Sequence, residues 1–142
     1  MRTINGAGSL DDLKIDVKIK LAALWTSVMF CYIYADYFGL YRTGALQGML
    51  QGRMGPLGPA TQGVLLAVAA VLAIPAVMIF LSLALKPNPN RWLNAILGIL
   101  YTLINLTNFL SAWAFYIFFG IIEIMLTSLI VWYACRWPRS KA

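Results

Sequence analysis

The sequence predicts an all-α membrane protein, a bundle of four transmembrane helices with a short N-terminal interfacial helix and a glycine-rich outer connection. Three observations predict it. Only 11% of the residues are charged and 61% are apolar, where a soluble domain carries about 25% charged residues. The apolar residues fall into long runs, each able to cross a hydrocarbon core of about 30 Å at about 1.5 Å per residue. The basic residues flank those runs and lie almost all on one side of them.

Ser9-Leu10-Asp11-Asp12 matches a capping box, with Ser9 at the N-cap and Asp12 three residues on. Leu10, Leu13 and Val17 follow at helical spacing, which predicts an interfacial helix ahead of the first span. Asp11, Asp12 and Asp16 stand where a signal peptide carries positive charge, and no small-residue cleavage site follows, so a signal peptide is not expected. The first span covers about residues 21–41, with Asp36 among Tyr32, Tyr34 and Tyr37.

In the connection that follows, Gly44, Gly48 and Gly52 recur every fourth residue. If that stretch is helical, they form a smooth face for a second backbone; if not, the segment is a flexible loop. Pro56 and Pro59 end any helix there.

The second span, about residues 64–85, has no ionisable residue and carries Pro75 near its middle. A proline in a helix frees the carbonyl one turn back, which must find another partner, so a kink is expected. Lys86 to Arg91 form a charged turn. The apolar run from Trp92 to Ala134 is about twice the bilayer core and must reverse. Reversal near Ser111 to Ala114 gives a third span of about 92–110 and a fourth of about 115–133. The chain, 1–142, is read as one membrane domain.

Lys and Arg set orientation. One side holds Arg2, Lys14, Lys18, Lys20, Lys86, Arg91, Arg136, Arg139 and Lys141, while the other holds Arg42 and Arg53. A multi-pass protein of the inner (plasma) membrane with both termini cytoplasmic is expected. The bilayer is the expected partner, and homo-oligomers are compatible with the layout. No basic stripe or module signature points to nucleic acid.

The chain has no histidine, which removes His-ligated haem, His-containing zinc sites and His-based triads. Cys31 and Cys135 read as two buried or interfacial thiols. No metal and no cofactor is expected, and no P-loop, nucleophile elbow or dinucleotide fingerprint is present.

Chemistry is therefore sought among polar groups inside the spans. An ionisable side chain at the centre of a span costs about 2.5–3.5 kcal/mol on insertion scales and marks a functional site by default. Asp36 and Glu123 are the two such groups. With the orientation above, both fall in the outer half of the bundle, as do Asn105, Asn108, Gln62 and Tyr116. Tyr32 and Asp36 share one helix face; Tyr101, Asn105 and Asn108 share another; Tyr116, Gly120, Glu123 and Thr127 share a third.

The candidate ligand or proton site is thus Asp36, Glu123, Asn105, Asn108, Tyr116, Tyr32 and Gln62, around an outer-half polar cavity that binds or moves a small or amphipathic ligand. Two alternatives stand beside it. The same groups could only fix helix packing in an accessory subunit, with Asp36 pairing to Arg42. They could also serve an intramembrane acid/base enzyme of isomerase type, with Asp36 and Glu123 as acid and base.

The segments KIDVKIKLAALWTSVMFCYIYADYFGLY, AIPAVMIFLSLALKPNPNRWLN and AWAFYIFFGIIEIMLTSLIVWYACRWP resemble a family of short bacterial four-span membrane proteins catalogued as a domain of unknown function. That resemblance implies the architecture and assigns no activity or site. In length and span count the chain is also similar to the DoxX-like group of small membrane proteins.

The basic asymmetry makes a direct prediction. Reporter fusions at the C-terminus and within residues 47–51 should report opposite sides of the membrane, the C-terminus being cytoplasmic. The same side for both would overturn the map.

Overall fold

A computed structural model describes residues 14–107 and 113–138. Its elements are α1 (Val17–Gly39), α2 (Ala45–Leu50), a 3-10 turn (Gly55–Leu57), α3 (Gln62–Ala84), α4 (Pro87–Thr107) and α5 (Ala114–Cys135). Among the described residues there is no strand. The four long helices follow the expected spans to within a few residues.

α1, α3 and α5 are long and apolar enough to cross a membrane, the character of a membrane protein. α4 is equally long at 21 residues but has a polar face, burying Asn90, Asn94, Tyr101 and Asn105. Outward-facing Leu66 and Phe80 of α3 are about 71% and 67% exposed. Apolar exposure on that scale suits hydrocarbon and is rare on a soluble monomer.

Each helix start has a local cause. The Asp16 carboxylate accepts from Lys18 N at 2.8 Å and caps α1. Residues 14–16 are therefore not helical, and α1 begins at Val17. The expected capping box at Ser9 to Asp12 lies outside the described residues. Thr61 Oγ1 accepts from Val64 N at 3.3 Å at the start of α3. Pro87 opens α4, where a missing N–H costs nothing.

The glycine-rich connection is not one helix. Gly44 (φ 80°) and Gly52 (φ 69°) bracket the six residues of α2, and both adopt the left-handed conformation that side chains avoid. Nothing lies within 4 Å of where a Gly48 Cβ would stand. The glycine repeat therefore serves turns rather than backbone packing.

α1 packs against both α3 and α5, and α4 packs against α5, while α3 and α4 make few contacts with each other. Buried stripes at helical spacing make these contacts, such as Gly120, Glu123, Thr127, Ile130 and Ala134 on α5. Gly98 lets α4 and α5 close up, since a Cβ there would lie 2.7 Å from Val131 Cγ2. The apolar core of Leu21, Trp25, Val28, Met78, Tyr101 and Ile130 fills the middle.

Two polar features organise this packing. At the turn between α3 and α4, Asn94 Oδ1 accepts from Trp25 Nε1 at 2.7 Å and from Ser82 Oγ at 3.3 Å. Asn94 Nδ2 donates to Asn90 Oδ1 at 2.7 Å, and Asn90 Nδ2 donates to the Ser82 carbonyl at 2.6 Å. All four side chains are fully buried. Beside them, Lys18 Nζ donates to the carbonyls of Leu83 and Leu85, at 3.2 and 2.7 Å, which the end of α3 leaves without helical donors.

The second feature is at mid-height. Pro75 lies inside α3 and cannot donate to the Val71 carbonyl. Tyr101 Oη of α4 donates to that carbonyl instead. The partner that the proline requires is supplied by the neighbouring helix.

This arrangement predicts a coupling. Tyr101→Phe should destabilise the protein in detergent by about 1–3 kcal/mol, since it leaves a buried carbonyl unmet. In a Pro75→Ala background, the backbone N–H restored at that position meets the Val71 carbonyl, and the same change should cost clearly less. A double-mutant cycle of thermal stability checks this, and equal costs in both backgrounds would contradict it.

Candidate functional site

Beyond the Tyr101–Val71 bond, on the side of the connection, α3 and α4 bound a cavity of about 260 Å³. Its walls are Tyr32, Ala35 and Asp36 of α1, Val68, Val71 and Leu72 of α3, Tyr101, Ile104 and Asn105 of α4, and Tyr116 of α5. Met54 and Leu57 of the connection cover it. A second cavity of about 480 Å³ adjoins it, sharing Asp36, Met54 and Tyr116 and adding Gly39, Arg42, Met49 and Arg53. A third, of about 430 Å³, lies within the connection itself, between Arg42, Arg53 and Trp113.

Helix geometry explains the convergence. Tyr32, Asp36 and Gly39 recur at four- and three-residue spacing, so one face of α1 turns toward the space. Gly39 admits the Tyr116 ring, because a Cβ there would stand 2.5 Å from Tyr116 Oη. On α4, Tyr101 and Asn105 share the buried stripe.

The polar groups are incompletely matched. Tyr32 Oη donates to Asn105 Oδ1 at a long 3.4 Å. Asn105 is 1% exposed, yet its Nδ2 has no hydrogen-bond partner among the described residues. A buried donor in that state is uncommon in native proteins and calls for an explanation. Asp36 is exposed into the cavities. Among the described residues it forms no ion pair with Arg42, which donates Nε to the Gly39 carbonyl at 3.4 Å and lies 5.4 Å from the centre of the Tyr116 ring.

Of the seven residues expected at the site, Asp36, Tyr32, Asn105 and Tyr116 line this connected space. Glu123 is 5% exposed on the buried stripe of α5, within Coulomb reach of Asp36 and Tyr32 but not on a cavity wall. Gln62 is exposed at the first turn of α3 and lines neither cavity. Asn108 lies outside the described residues. Cys31 is buried and Cys135 exposed, both as free thiols.

Comparison with protein families matches residues 12–142 to a family of unknown function, DUF6326. The chain belongs to the DUF6326 family. Comparison with curated proteins and with solved structures finds no match. Membership in DUF6326 brings no activity with it, so chemistry has to be read from the cavity of this family member itself.

That cavity holds residues the sequence reading had not assigned to a site. Arg42 had entered as a topology marker and as a packing partner for Asp36, Arg53 only as a topology marker, and Met54 and Leu57 not at all. The available signal was that these are the only two basic residues in the connection and that both stand next to positive-φ glycines or their turns.

The contrast between Asn94 and Asn105 gives a stability test. Asn94→Leu removes a fully bonded side chain and strands Trp25 and Ser82, so it should cost about 2 kcal/mol or more. Asn105→Leu gives up one long bond and an unmet donor, so it should cost less than about 1 kcal/mol. Melting temperatures of the two variants in one detergent check the order. A larger loss for Asn105→Leu would place it among the packing residues.

Proposed function

We propose that this chain is a four-span bundle of the inner membrane, termini in the cytoplasm, that binds a small amphipathic ligand in the cavity under its outer connection. The observation that carries the reading is Asn105, a buried amide whose Nδ2 has no partner among the described residues, on the wall of a cavity that also holds Asp36, Tyr32 and Tyr116. Packing alone gives no reason to keep a buried donor unmet. A ligand acceptor reaching it would supply the missing bond.

α4 is the fourth span in this reading. Its polar stripe faces the neighbouring helices, and its outward residues Ile96, Ile99, Leu103 and Leu106 are exposed and apolar. A helix of that kind is stable in hydrocarbon because its polar groups are met inside the bundle. The cavity walls from Val68, Leu72, Ile104 and Met54 suit an apolar ligand body, and Asp36, Tyr32 and Asn105 suit a polar end. Glu123, buried behind Asp36, supports that end through its charge or proton.

Binding of a pyrene-labelled acyl amphiphile to the purified protein tests this. Leu72→Trp, which fills the cavity from α3, should retain the wild-type melting temperature within a few degrees and weaken binding about ten-fold or more. Asp36→Asn and Glu123→Gln keep size and hydrogen bonding, so they should also melt normally, and Asp36→Asn should bind more weakly. Undiminished binding by a folded Leu72→Trp variant would remove the cavity from the account.

A further inference from the structure

The larger cavity brings three charged side chains of opposite sign to one space, Asp36 at the end of α1 and Arg42 and Arg53 on the connection. Among the described residues none of the three is neutralised by another, since no ion pair forms between them. Arg42 is held by the Gly39 carbonyl and the Tyr116 ring. Arg53 is exposed, in a turn whose backbone pairs with that of Pro59. Unpaired charges of both signs on the wall of one cavity, at the end of apolar helices, suit a ligand that carries both signs as well.

The hydrogen-bonding groups agree with that pattern. A guanidinium fork fits a phosphate in a bidentate manner, and two of them fit it better than one. A carboxylate fits a primary ammonium. Asp36 belongs to both cavities, so an ammonium held by it lies next to Tyr32 and Asn105, while a phosphate held by the arginines lies nearer the connection. The apolar remainder has a route as well: α3 and α4 make few contacts with each other, and the smaller cavity lies between them, walled by Val68, Leu72 and Ile104.

Resting on the binding reading above, we infer that the ligand is a zwitterionic lipid, its phosphate on Arg42 and Arg53, its primary ammonium on Asp36, and its acyl chain between α3 and α4. The shared chemistry, a phosphate next to an ammonium, also belongs to a soluble phosphoamine, and the chain route is what favours the lipid.

The test is competition against the pyrene amphiphile in detergent with four probes of stated chemistry. These are a short-chain phosphatidylethanolamine, a phosphatidylglycerol of equal chain length, an uncharged monoacylglycerol and free phosphoethanolamine. The ethanolamine lipid should compete about ten-fold better than each of the others. Arg53→Gln should weaken both phospholipids, and Asp36→Asn should abolish the preference for ethanolamine over glycerol while leaving the glycerol lipid unchanged or tighter.

Equal competition by the two phospholipids in wild type, or a preference that survives Asp36→Asn, overturns the ammonium contact. Free phosphoethanolamine competing as well as the lipid overturns the lipid source. Competition by the monoacylglycerol equal to that of the phospholipids overturns the zwitterion while leaving an amphipath cavity in place. Failure of the cavity itself would show separately, as undiminished pyrene binding in Leu72→Trp.

Discussion

Backbone and amide groups taken into hydrocarbon must be bonded there, and Asn94 is where this chain meets that demand most fully. Its oxygen accepts from α1 and α3, and its nitrogen donates to Asn90 one turn away. A single side chain of α4 thereby fixes three helices at the end where α3 turns into α4. Lys18 reinforces the same end by meeting the last carbonyls of α3. Water cannot replace these partners in a bilayer, so the register of α1, α3 and α4 follows from them.

With that end locked, the other end is free to differ. Pro75 interrupts α3 at mid-height, and Tyr101 holds the interrupted row of carbonyls to α4 at one point. Past that point α3 and α4 both line the cavity, and a connection built on left-handed glycines covers it. The cavity is the volume this leaves. Its Asn105 amide, unmet among the described residues, and Arg42, Arg53 and Asp36, which form no ion pair among them, stand against the fully bonded Asn94 cluster. In the proposed reading, one end of the molecule is given to packing and the other is kept for a ligand.

The fold was readable because period and length dominate in a membrane chain. Four apolar runs and Pro75 follow from hydropathy and helix geometry, and the described helices lie within a few residues of those runs, while the residues about position 111, where the reversal is expected, are outside the described ones. The partner of the Val71 carbonyl was demanded by Pro75, but its identity as Tyr101 depends on how α3 and α4 cross. Half of the candidate site's lining was readable for the same reason, as Tyr32 with Asp36 and Tyr101 with Asn105 share faces by spacing alone. Gln62 shares the depth of these groups but not their direction, which depth alone does not reveal. Arg42 and Arg53 were hidden because turn geometry folds the connection back over the helix ends, and turns leave no periodic mark. The buried Asn90–Asn94 pair was overlooked because Asn90 stands in a charged, proline-rich stretch that reads as a surface turn and Asn94 at the very start of the span that follows it.

The central claim is that a polar, water-reachable space lies among helices whose outer surfaces face lipid. Cysteine labelling in native membranes tests it most directly. In a chain with Cys31 and Cys135 replaced by alanine, single cysteines would be placed at Asp36 and Leu72 in the cavity, and at Leu66 and Phe80 on the outer face of α3. A membrane-impermeant maleimide should label the first pair and not the second, and an added amphiphile should protect the first pair. If all four positions stay unlabelled, or Leu66 and Phe80 react as fast as Asp36 and Leu72, the cavity described here does not exist in the membrane.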